Sequence, residues 1–224
     1  MKVILVISLL SLALAATFPA EEEEPNFENG DPMLREDLFE GDIMMDDNLL
    51  SVLEGRSGAD SNPRILWPKG IVYYSFAPQV GDKTRTLLRQ AAAHIQNKTC
   101  LQFQETSAPQ AHIEVFPGKG CNSFIGRTGR TQRLNLQPNG CVYFGTIAHE
   151  MLHALGFLHE HTRSDRDSYV RINWSNIKKG HEHNFIKRKP NQNHLYGPFD
   201  YTSLMMYTEY AFANRLQCEN YHPS

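Results

Sequence analysis

The chain has 224 residues, 41% of them hydrophobic and 10% aromatic, with a formal net charge of −3 and four cysteines. That length and apolar share allow one good core. No apolar run reaches the ~20 residues a membrane span needs, and no basic patch interleaved with aromatics supports a nucleic-acid partner, so a membrane anchor and a nucleic-acid binder are both set aside.

Near its start the chain carries Lys2, the apolar stretch from Val3 to Leu14, and Ala15-Ala16 ahead of Thr17. This reads as a secretory signal peptide over 1–16, too short to anchor in a bilayer. Such a leader implies a secreted, extracellular protein and a compartment that permits disulfides. Residues 1–56 then hold 13 of the 25 acids but only 3 of the 22 bases, leaving 19 bases against 12 acids in the remainder. An acidic front before a basic body reads as a masking propeptide over 17–56, followed by a globular domain over 57–224. Glu21 to Glu24 reads as a solvated tail.

In the body, Ile71 to Phe76 is strand-like after Trp67-Pro68-Lys69-Gly70. A helix is expected from Asp82, as its N-cap, to about Gln96, with Leu87, Leu88, Ala91, Ala92 and Ile95 on one stripe. Cys100 to Phe103 and His112 to Phe116 alternate as half-buried strands, with His112 structural. Gly118, Gly120, Gly126 and Gly129 mark turns before a further strand, Gln132 to Leu136. Lys187-Arg188-Lys189 reads as an exposed loop. Once exported, Asn97-Lys98-Thr99 and Asn173-Trp174-Ser175 are glycosylation sequons. Strands mixed with two helices give an α+β domain with a twisted sheet. Cys100, Cys121, Cys141 and Cys218 allow three pairings.

The most specific segment is His149-Glu150-Met151-Leu152-His153-Ala154-Leu155-Gly156-Phe157-Leu158-His159. On a helix, His149 and His153 share a face one turn apart and can grip one metal ion, with Glu150 beside it. Gly156 can adopt the left-handed backbone that ends a helix, so the chain returns His159 as a third ligand. Three protein ligands leave one position open, the signature of a catalytic rather than a structural zinc. Zinc acidifies a water in such a site, and Glu150 is the general base for it.

These residues, with His159-Glu160 and Arg163-Ser164-Asp165-Arg166-Asp167, resemble the metzincin signature and, more narrowly, the astacin family of secreted zinc endopeptidases. The resemblance runs from about Trp67 to about Phe212. It implies a zincin-like catalytic domain over 57–224, one Zn2+ ion, protein or peptide substrates, an activating protease and a monomer. Tyr169 to Ile177 matches the segment leading into the family's C-terminal half. Tyr201-Thr202-Ser203-Leu204-Met205-Met206-Tyr207 resembles its Met-turn, implying that Met205 forms a hydrophobic floor beneath the metal and that Tyr207 reaches the metal and then the oxyanion. Met206 stands where astacins usually have histidine.

Phe39-Glu40-Gly41-Asp42 resembles the family's prosegment motif, implying that Asp42 occupies the open zinc position in the latent form. Activation is then expected at Arg56-Ser57, with the new amino terminus buried near Glu160. The resemblance also implies a Cys121–Cys141 bridge, and Cys100 stands where astacins have the partner of their last cysteine, leaving Cys218. Only seventeen residues follow Tyr207. The resemblance therefore implies a shortened C-terminal subdomain, and the alternative reading is a secreted zinc-binding protein with weak or no proteolytic activity.

Overall fold

The computed structural model describes residues 31–54, 65–107, 111–214 and 221–223. The signal-peptide segment, the Arg56-Ser57 bond and Cys218 lie outside these residues. A six-stranded sheet runs in the order β1-β5-β6-β4-β2-β3, built from β1 (Ile43–Met44), β2 (Ile71–Phe76), β3 (Gln102–Glu105), β4 (Ile113–Phe116), β5 (Cys121–Phe124) and β6 (Gln132–Leu136). Strands β3, β2, β4 and β6 are mutually parallel, and β5 is antiparallel to β6. The sheet is therefore mixed.

Parallel neighbours need crossovers, and a helix supplies the one from β2 to β3. Helix α2 (Asp82–Lys98) follows β2, and α3 (Phe144–Leu155) follows β6, while a short α1 (Asp47–Leu53) precedes both. Leu88, Ala91, Ala92 and Ile95 of α2 are buried against Val72, Val115 and Leu134 of the sheet and Ile147 and Met151 of α3. The apolar stripe predicted for α2 is the buried face, except that Leu87 only flanks the core. Two local expectations are corrected. The N-cap is Gly81, with Asp82 the first helical residue. The glycine-marked stretch also contains a strand, β5, because the turns at Gly118–Gly120 and Gly126 bracket four residues with room to pair.

Residues 31–54 lie along the domain. Strand β1 adds to the β5 edge in parallel, Ile43 opposite Ser123 and Met44 opposite Phe124. Asp46 Oδ1 accepts from Leu49 N at 2.9 Å, opening α1, and Ile43, Leu49 and Ile125 form a small buried cluster. A second core beyond α3 gathers Val170, Ile172, Phe185, Phe199 and Tyr207, where β7 (Val170–Ile172) pairs antiparallel with β8 (Tyr221–Pro223).

Cys121 and Cys141 form a disulfide with a Cα–Cα distance of 5.6 Å, and both are wholly buried. It ties the β5 edge to the approach to α3. Replacing both cysteines with alanine is expected to cost about 3 kcal/mol of stability by loop-closure entropy, read as a lower denaturant midpoint. An unchanged midpoint would show that the bridge constrains nothing. Cys100 is exposed and without a disulfide among the described residues.

Candidate metal centre

Helix α3 is apolar on most of its surface and buried, so the polar residues it carries must be satisfied or functional. His149, Glu150 and His153 are 4%, 0% and 0% exposed. The helix ends at Gly156, whose φ of 108° is left-handed and whose N–H donates to His153 and Leu152 carbonyls. Nothing lies within 4 Å of a Cβ placed there, so backbone conformation alone calls for glycine. The reversal brings His159 back over the helix, where Glu160 N donates to Met205 O at 2.8 Å.

Each imidazole is held by its Nδ1 edge. His149 Nδ1 is 2.6 Å from Leu204 O, His153 Nδ1 is 2.8 Å from Phe157 O, and His159 Nδ1 is 2.9 Å from Glu40 Oε2. With those protons engaged, the three Nε2 atoms face one another and Asp42, an outer-shell arrangement that fixes ligand orientation. The Asp42 Oδ2 atom is 3.1 Å from both His149 Nε2 and His159 Nε2, and Oδ1 is 3.4 Å from His153 Nε2. His149 Nε2 and His159 Nε2 are 3.3 Å apart.

Those spacings test the fit to zinc. Tetrahedral ligation at about 2.0–2.1 Å puts ligand atoms roughly 3.3 Å apart, and all four ligand atoms lie within 4.8 Å of one another. His153 Nε2 and Asp42 Oδ1 are also buried without a hydrogen-bond partner among the described residues, a cost that a cation at their meeting point removes. The site suits one zinc ion.

Electrostatics follow from the crowding. Burial opposes charge on Asp42, but the imidazoles of His159, His153 and His149 outweigh it and hold its carboxyl well below the usual range. Burial likewise opposes protonation of His159, yet Asp42 and Glu40 carry it up to about 9. A divalent cation would displace that proton, since ligation takes the neutral ring. Burial pushes His153 down to about 4. Glu150 is raised well above the ordinary carboxyl value by burial and then by Asp42, and neither of its oxygens has a hydrogen-bond partner among the described residues.

Around this centre, Met205 is buried against Leu152, with Leu155, Phe157 and Leu204 at its flanks. Tyr207 stacks on His161 at 3.8 Å and meets His159 edge-on at 4.7 Å. Its hydroxyl donates to Glu40 O at 2.5 Å. Burial, then the charges of Asp42 and Glu40, raise its pKa well above 10. Glu160 is turned away from the centre: it accepts from Arg163 Nη1 at 2.9 Å and from Asp200 N at 3.0 Å.

Residues 59–223 match the family model of the astacin peptidases. The chain belongs to the astacin family. This astacin is 38% identical over 178 residues to astacin-like metalloprotease toxin 1 of Loxosceles intermedia, covering 79% of this chain and 66% of that one. It is likewise 38% identical to the low choriolytic enzyme of Oryzias latipes, covering 79% and 65%. The chain thus spans slightly under two thirds of the length of these relatives. Among solved structures, high choriolytic enzyme 1 of Oryzias latipes, a hatching enzyme zinc-protease, aligns with a TM-score of 0.65 at 37% identity, covering 70% of this astacin and 79% of that chain.

Two residues at the centre of this astacin carry no site role in the sequence reading. Glu40 lies inside the Phe39-to-Asp42 motif, two residues before Asp42. Arg188 sits within the tribasic stretch read as exposed, and that reading is corrected: Lys187 and Lys189 are exposed, whereas Arg188 is 5% exposed and ion-paired with Glu40. The alternation of exposed, buried, exposed is invisible in a run of three cations.

Proposed function

We propose that this chain is a secreted zinc endopeptidase, made as a zymogen, in which Glu150 is the general base. The observation that carries the reading is the convergence of three oriented imidazoles with a buried carboxyl beside them whose oxygens have no structural partner among the described residues. A purely structural zinc would have no use for Glu150. His149, His153 and His159 would hold the ion. When bound, zinc supplies Lewis acidity, acidifying water and polarising a peptide carbonyl. Glu150 takes the proton and delivers it to the leaving amine. The Tyr207 hydroxyl, free of the Glu40 carbonyl once the prosegment leaves, donates to the developing oxyanion. Met205 packs under the ligands as a conforming floor.

In this reading residues 1–16 are a secretory leader, 17–56 the prosegment and 57–224 the catalytic domain. A buried disulfide supports an oxidising compartment, and no described helix is long and apolar enough to cross a membrane. Asp42 seals the metal centre, and β1 occupies the sheet edge along which an extended substrate would bind through its backbone. An activating protease cuts at Arg56-Ser57, and the new amino terminus takes over Glu160 from Arg163. The similarity to a zinc-protease hatching enzyme supports protein substrates. Cys100 pairs with Cys218, and the enzyme works as a monomer.

The test is digestion of casein by the chain cut after Arg56. Turnover is expected to vanish with a zinc chelator and return on adding zinc. Digestion indifferent to the chelator would overturn the reading.

A further inference from the structure

The turn that joins β6 to α3 carries Asn139-Gly140, the one Asn-Gly pair after Ser57. Asn139 is exposed, and two residues later Cys141 is wholly buried in its bridge to Cys121. Cys141 N donates to Gln137 O at 3.1 Å, and Gln137 Nε2 donates to Asn139 O at 3.0 Å, which closes the turn. No hydrogen bond engages the Gly140 N–H among the described residues.

The fold requires glycine at 140. Its φ of 126° is one that side chains rarely adopt, and a Cβ there would lie 2.9 Å from Pro32 Cγ. The same lack of a side chain leaves the Gly140 nitrogen open to the amide of Asn139, a chemically labile group. What covers this glycine is Pro32, whose ring packs on it and whose carbonyl accepts from Cys121 N at 3.1 Å. Cyclisation needs the backbone between Asn139 and Gly140 to rotate, and a ring seated on Gly140 opposes that movement. Pro32 lies on the N-terminal side of Arg56-Ser57, so it departs with the segment that activation removes.

We propose that Asn139 is a site of spontaneous deamidation, held in check by Pro32 and freed when the segment before Ser57 departs. In this step the Gly140 nitrogen gives up its proton and bonds to Asn139 Cγ, the Cγ–Nδ2 bond breaks, and ammonia carries that proton away. Water then opens the cyclic imide at either carbonyl, leaving aspartate or isoaspartate, with no oxidant or enzyme needed. Either product adds one negative charge to the wall of a cavity of about 1020 Å³, whose charged lining is Arg35, Lys83, Lys119 and Asp31. Lys83 and Lys119 remain to meet that charge once Asp31 and Arg35 have left. Isoaspartate does more, because it adds one atom to the main chain inside the turn that the Cys141–Gln137 bond closes, just ahead of α3. Release by processing rests on the zymogen reading; the lability of Asn139 and its cover by Pro32 do not.

The experiment holds three forms of the full chain in warm, mildly alkaline buffer, each carrying Glu150→Gln to prevent self-digestion: uncut, uncut with Pro32→Ala, and cut after Arg56 and freed of its prosegment. Peptide mapping follows the mass gain at Asn139, and electron-transfer fragmentation tells isoaspartate from aspartate. Modification of Asn139 should run about tenfold faster in the second and third forms than in the first, as local opening of the turn becomes easier. It should also outpace that of every other asparagine after Ser57. The isoaspartate form should melt below an Asn139→Asp variant, which has the same charge without the extra atom; equal midpoints overturn the backbone effect. An Asn139 left intact in the cut chain, over a time in which a blocked peptide of residues 136–142 converts, overturns the proposal, as do equal rates in the three forms. Acceleration by Pro32→Ala, with residues 31–35 still bound after the cut, would instead sink the reading of 17–56 as a removable prosegment and keep the cover by Pro32.

Discussion

Replacing Glu150 with glutamine is expected to lower peptide turnover by about 10²–10⁴-fold, the usual contribution of a positioned acid or base, and to leave zinc content unchanged. The substitution keeps the size of the side chain, and no hydrogen bond to its oxygens exists among the described residues, so α3 loses nothing. Stability moves the other way. In the metal-free chain, burial and then Asp42 raise the carboxyl well above its ordinary value of 4.5, which means that ionisation is disfavoured in the folded state. Such a group lowers stability progressively as pH rises above the unfolded pKa. The glutamine variant should therefore match the wild type in acid and become more stable than it above about pH 5. A variant that keeps a tenth of the turnover, or that loses its zinc, would remove Glu150 from the role of base.

The metal site was legible because its chemistry fixes offsets along one helix: residues four apart share a face, and a glycine can end it. The same logic gave β2, β4 and β6, whose alternation is clean, and the apolar stripe of α2. What escaped depends on partners distant in sequence. Strand β5 has the burial pattern of a covered strand rather than an alternating one, because β1 shields its outer edge, and no local signal announces a two-residue partner 80 residues earlier. Arg188 is inside because a carboxylate 148 residues away meets it, and a run of three cations says nothing about which one turns inward. Capping at Gly81 instead of Asp82 is a smaller miss of the same kind, since both residues tolerate the start of a helix.

Asp42→Ala should turn on the uncut chain. In the uncut chain carrying Arg56→Ala, residues 39–44 hold the centre through Asp42, through the Glu40 contacts to Arg188, His159, Asn184 and Tyr207, and through the β1 pairing. Removing one partner of a buried charge pair costs roughly 3–5 kcal/mol, which shifts the balance between sealed and open chain by about 10² to 4 × 10³-fold. The remaining contacts still favour the sealed form, so activity should rise by about that factor over the silent precursor yet stay below that of the cut enzyme. Adding Glu40→Gln to Asp42→Ala should raise it further, because both anions that face the imidazoles are then gone. Initial rates on a quenched fluorescent peptide measure both steps, with Glu150→Gln in the same background as the blank. If the uncut Asp42→Ala chain is as silent as the wild-type precursor, the carboxylate among the imidazoles is a folding contact, and latency must be enforced by the strand at the sheet edge instead.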